Sequence, residues 1–90
     1  MAARRASRRG LAGGPEHHQA AYRADLADAQ KLLSRARRAR SCSARVDLAL
    51  GAYATAQAGS EHAREGGVAD AAAQRVEQAA KRLIRACVKP

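Results

Sequence analysis

This chain of 90 residues has no phenylalanine, no tryptophan and only two tyrosines. Without large rings, each element buries little apolar area at ~25 cal/mol per Å², so a lone chain of this size has a shallow core. From Pro15 onward the larger apolar residues are six Leu, four Val, one Ile and the two Tyr. β-Branched residues are scarce, which argues against a sheet protein. Acidic residues are also few, 8 against 17 Lys and Arg, leaving a formal net charge of +9.

Long apolar runs are missing. The longest uncharged stretch, residues 48–60, contains Gly51, Gln57 and Gly59 and is too short and too polar to span a bilayer. The basic N-terminus is not followed by an apolar stretch, so no secretory signal is expected. No glycine-rich phosphate loop and no Ser/His/Asp or Cys/His arrangement is present, so the chain reads as a non-enzyme without cofactor or small-molecule substrate. Two cysteines fit a reducing compartment with thiols free or transiently paired.

What is abundant is alanine, 25 residues, the strongest helix former. Arginine outnumbers lysine 14 to 3, a bias that a GC-rich genome also produces, so placement carries more information than number. A small chain with this much positive charge usually meets a polyanion, and phosphate backbones are the commonest.

Residues 1–14 read as a disordered basic arm with Arg4, Arg5, Arg8 and Arg9, three glycines and no acid. Leu11 is the only large apolar residue between Met1 and Tyr22, and the Gly-rich stretch around it reads as a flexible hinge. Residues 15–90 read as one domain of three helices, about 15–40, 43–65 and 68–88. Pro15 suits a first helical position, and Tyr22, Leu26, Ala29, Leu33 and Ala36 form one stripe at helical spacing. Ser41 or Ser43 can cap the second helix. There, Val46, Leu50 and Tyr53 are the expected core face, and Gly51, Thr55 and Gly59 a row of small residues for close helix packing. Gly66-Gly67 ends that helix. In the third, Ala69, Ala73, Val76, Ala80, Leu83 and Cys87 make the stripe, and Glu77 and Lys81 an i, i+4 ion pair.

The fold expected is all-α, an antiparallel up-down-up three-helix bundle with the basic arm at its N-terminus. That topology gathers Arg35, Arg37, Arg38, Arg40, Arg45, Lys81, Arg82, Arg85 and Lys89 at one pole. With the four arm arginines they form the expected nucleic-acid-binding set, electrostatic and weakly sequence-specific. Both tyrosines fall on core faces, which disfavours base stacking. Glu16, Glu61, Glu65, Asp70, His17, His18 and His62 collect at the other pole. The histidine spacing matches no metal motif, so surface histidines and no metal site are expected. Cys42 and Cys87 meet at the basic pole, where a bridge needs Cα atoms within ~7 Å. The reading preferred on sequence is two partly buried small apolar residues.

The segment Arg8 to His18, R-R-G-L-A-G-G-P-E-H-H, and the segment Cys42 to Arg64, with C-S-A-R-V-D-L-A-L-G-A-Y and G-S-E-H-A-R, resemble a group of small basic Ala/Arg-rich bacteriophage proteins. No activity is attached to that group. The resemblance implies a phage setting, as a virion component near packaged DNA or an early host-directed protein, in the virion or the host cytoplasm. The rival expectation is an assembly or adaptor protein, binding a protein partner or oligomerising through its small-residue helix.

Overall fold

The computed structural model describes residues 14–88, which form three helices: α1 (Pro15–Arg38), α2 (Cys42–Gly66) and α3 (Ala71–Val88). They run up, down and up, and no strand occurs among the described residues. The middle helix packs on both neighbours, while α1 and α3 meet only lightly. The arm residues Arg4, Arg5, Arg8 and Arg9, and Lys89, lie outside the described residues.

Local chemistry accounts for the helix ends. Gly14 is extended, and its carbonyl accepts from the N–H groups of His17 and His18 at 3.0 and 3.2 Å, with Pro15 in the first turn needing no partner for its nitrogen. Between α1 and α2 the chain turns over three residues. Ser41 caps α2, its Oγ accepting from the Ala44 N–H at 3.1 Å. At the far end Gly67 takes φ 72°, the Val68 N–H donates to the Ala63 carbonyl at 2.9 Å and the Gly67 N–H to that of Arg64 at 3.3 Å. This double closure is the Schellman arrangement. Residues 67–70 close α2 and turn the chain, so α3 starts at Ala71 rather than at the expected residue 68. Asp70 leads it in, its carbonyl accepting from the Gln74 N–H at 3.0 Å and its carboxylate from Gln74 Nε2 at 2.9 Å.

The core is built of alanine. Nine of the twelve buried apolar residues are Ala, joined by Tyr22, Leu33 and Val76. The α1 stripe is as expected, with Leu26 half-buried beside it. The expected face of α2 needs correction. Ala49, Ala52, Ala56, Gly59, Ala63 and Gly66 face inward, Val46 and Tyr53 are half-buried, and Leu50 is 50% exposed. A helix lying between two others is best filled by small side chains, which let both neighbours approach; a Leu at the seam would hold them apart. In α3, Ala69 falls before the helix and is exposed, while Ala73, Val76, Ala79 and Ala80 are buried.

Close approach concentrates on α1. A Cβ placed on Gly59 would stand 3.2 Å from Asp25 Cβ and 3.5 Å from Tyr22 Cδ1. Gly51 is looser, its nearest neighbour Leu32 Cδ1 at 3.5 Å. Cys42 and Cys87 form a disulfide with Cα atoms 5.5 Å apart, which corrects the expectation of two unbridged thiols. The antiparallel topology brings the start of α2 to the end of α3, and the two cysteines sit at those points.

Candidate nucleic-acid interface

The disulfide marks one end of the bundle, where α1 stops, α2 starts and α3 stops. Arg35, Arg37, Arg38 and Arg40 from the α1 end, and Arg82 and Arg85 from the last turns of α3, are all exposed there. Among the described residues none of the six has a carboxylate within 4.0 Å, the one salt bridge being His18–Glu65 at the opposite end. The sequence explains this: no acid stands between Asp28 and Asp47, and none follows Glu77. Uncompensated guanidinium groups on one surface raise the local positive potential, and each offers a fork of donors matched to a phosphate.

Two members of the expected set are engaged with other parts of the fold. Arg45 turns inward, donating from Nη2 to the Ala39 carbonyl at 2.7 Å and from Nη1 toward Cys87 Sγ at 3.9 Å. Its Nε is buried without a hydrogen-bond partner. Arg45 therefore ties the α1–α2 turn to the disulfide. Lys81 Nζ lies over the Tyr53 ring, 5.9 Å from its centroid, a cation–π contact that replaces the expected pair with Glu77. Glu77 instead accepts from Ser60 Oγ at 3.3 Å, which satisfies the one buried polar side chain among the described residues. Gln57 Nε2 donates to the Tyr53 hydroxyl at 3.2 Å, so Tyr53 is held at the bundle surface.

A groove opens between α1 and α3, which meet only lightly. Its walls carry Arg37 and Arg82 from the basic end, then Arg75 and Arg64 further along, over a floor that includes Leu33 and Val76. Arg64 and Arg75 were absent from the expected set. Arg75 and Arg82 are seven residues apart, two turns on one face of α3, and that spacing was the available signal. Glu61, Asp70 and Glu77 also line the groove, so its charge is balanced away from the basic end.

Of the expected packing residues, Gly59 is buried against α1, while Gly51 and Thr55 are half-buried. No helix among the described residues is long and apolar enough to cross a membrane. Comparison with protein families, with curated proteins and with solved structures finds no match for this chain.

Proposed function

We propose that this chain is a non-enzymatic, nucleic-acid-associated helical bundle of phage type that binds phosphate backbone with low sequence specificity. The observation that carries this reading is the end of the bundle where Arg35, Arg37, Arg38, Arg40, Arg82 and Arg85 stand exposed without carboxylate partners. Phosphates arriving there release condensed counterions, the main source of sequence-independent affinity. The arm arginines Arg4, Arg5, Arg8 and Arg9 add to the same attraction. α2 does not offer a reading helix for the major groove, because it is enclosed between its neighbours and uncharged through its middle.

A setting in the virion suits the Cys42–Cys87 bridge better than the host cytoplasm, since such bonds persist in oxidising surroundings. The adaptor reading leans on the small residues of α2. Gly59 is buried against α1 beside Asp25 and Tyr22, so that member of the row is not open to a partner.

The test is a titration of the full chain against labelled duplex DNA, duplex RNA and single strands at several salt concentrations. Binding strong at about 50 mM salt and weakened by orders of magnitude near 200 mM, with little dependence on sequence, supports the proposal. Absence of binding to all of them at the lower salt overturns it. A defined oligomer without nucleic-acid binding would favour the adaptor reading.

A further inference from the structure

The core stops short of the end where the basic residues gather. In α2 the first buried residue is Ala49, two turns past Cys42, and in α3 the last is Ala80, two turns before Cys87. Residues 42–48 and 81–88 are exposed or half-buried throughout. Leu48, Leu83 and Ile84 pack only part-way onto the core, and the Cys42–Cys87 disulfide closes the overhang. The other helix at this end differs, because Leu33 and Ala36 are buried almost to the last residue of α1, Arg38. The far end of the bundle is anchored without a covalent bond. There Ala63 and Gly66 are buried in the last turn of α2, and the rings of His18 and His62, 44 positions apart, are hydrogen-bonded with their Nδ1 atoms at 2.9 Å.

Arg82 and Arg85 stand on the overhanging part of α3. Arg45 joins the same assembly, its guanidinium reaching both the Ala39 carbonyl and Cys87 Sγ. The α1–α2 turn, the start of α2 and the end of α3 are thus held through one reducible bond. We infer that this disulfide is a redox switch on the basic end: oxidised, it keeps Arg82 and Arg85 beside the arginines of α1; reduced by a dithiol, it releases the last two turns of α3 and weakens phosphate binding. The inference rests on the nucleic-acid reading above. A helix end with little buried apolar area opens far more easily than the fold as a whole, so the tether decides whether it stays in place.

The chemistry follows from the placement of the two sulfurs. Cys42 is exposed and opens α2, whereas Cys87 is half-buried. Exposed disulfides are the labile ones. A thiolate of the dithiol attacks Cys42 Sγ, the Cys42–Cys87 bond breaks, and its electron pair leaves on Cys87 Sγ. That thiolate departs beside the Arg45 guanidinium, whose Nη1 is 3.9 Å from the sulfur. The second thiolate of the dithiol then attacks the reductant's own sulfur in the mixed disulfide, closing a ring disulfide and releasing Cys42 as a thiolate. Two electrons have passed from the dithiol to the protein, and the protons that the dithiol gave to solvent are matched by those the two cysteines take up.

The test compares the oxidised full chain with the same chain reduced by dithiothreitol, each titrated with labelled duplex DNA across salt. Losing two phosphate contacts is expected to flatten the slope of log affinity against log salt by about 2 units and to weaken binding at about 50 mM salt at least tenfold. Reoxidation should restore both. The double variant Cys42→Ser and Cys87→Ser should match the reduced chain and ignore dithiothreitol. Backbone NMR shifts should move toward coil values over residues 81–88 and stay helical over residues 52–66. Equal slope and affinity in the two forms overturns the switch and leaves the nucleic-acid reading standing, whereas binding by neither form overturns both. Loss of helix along all three elements on reduction also overturns it, since the release would not be local. A brief reaction with glutathione, stopped by alkylation, locates the attack. The mixed disulfide is expected on Cys42 and the alkyl group on Cys87, and the reverse pattern overturns that assignment.

Discussion

Gly66 of α2 lies so close to Gln19 of α1 that a Cβ on Gly66 would stand 3.0 Å from Gln19 Cγ and 3.1 Å from the Gln19 backbone nitrogen. The Pro15 carbonyl oxygen would be 3.2 Å away. Gln19 completes the contact by donating from Nε2 to the Gly66 carbonyl at 2.8 Å. Glycine here lets the start of α1 touch the end of α2.

Gly66→Ala therefore forces α1 away, because two of the three nearest atoms are backbone. Overpacking of this kind costs about 1–3 kcal/mol. Gly51→Ala should do the opposite. Its Cβ would make an ordinary contact with Leu32 Cδ1 at 3.5 Å, and removing a mid-helix glycine gains up to about 1 kcal/mol. Denaturant unfolding of both variants checks the opposite signs.

The alanine core makes the disulfide a large part of the stability. Cys42 and Cys87 are separated by 45 positions, and closing a loop of that length removes about 4 kcal/mol of chain entropy from the unfolded state on the entropic account. Reduction, or the double change Cys42→Ser and Cys87→Ser, should lower unfolding free energy by about 2–4 kcal/mol. Thermal melts with and without reductant measure it. An unchanged melting temperature would mean that the bridge contributes nothing.

Ser60 and Glu77 should behave as a coupled pair. Glu77→Ala leaves a buried hydroxyl unpaired at a cost of about 1–2 kcal/mol, and adding Ser60→Ala removes the unpaired group. The double variant is expected to lose less than the sum of the single losses, as a double-mutant cycle would read.

Arg45 and its neighbours separate by role. Arg45→Ala removes the bond to the Ala39 carbonyl and should lower stability by about 1–2 kcal/mol while leaving the salt dependence of nucleic-acid binding unchanged. Arg38→Ala, exposed and unpaired, should leave stability unchanged and reduce the salt slope by about 1.

The sequence made the α1 stripe legible because Tyr22, Leu26, Leu33 and their alanines contrast with charged neighbours at helical spacing. It misled at Leu50 for the converse reason. In α2 alanines occupy several faces, so apolar size is no guide to burial, and a helix between two others buries its smallest side chains. Arg45 and Arg37 look alike in sequence. Which one turns inward depends on where the Ala39 carbonyl and Cys87 end up. The His18–His62 contact joins residues 44 positions apart and depends on rotamers and helix register that no local pattern encodes. The grouping of Arg35, Arg37, Arg38, Arg40, Arg82 and Arg85 at one end followed from topology, since acids are missing from the end of α1 and the end of α3, with Asp47 near the start of α2 the one acid of the third segment there.

The most direct test of that end is the slope of log affinity against log salt for duplex DNA, compared between the native chain and the triple variant Arg37→Ala, Arg38→Ala and Arg40→Ala. With three phosphate contacts removed, the slope should flatten by about 3 units while the melting temperature stays the same. An unchanged slope in a folded variant would contradict the assignment of this end as the phosphate-binding surface.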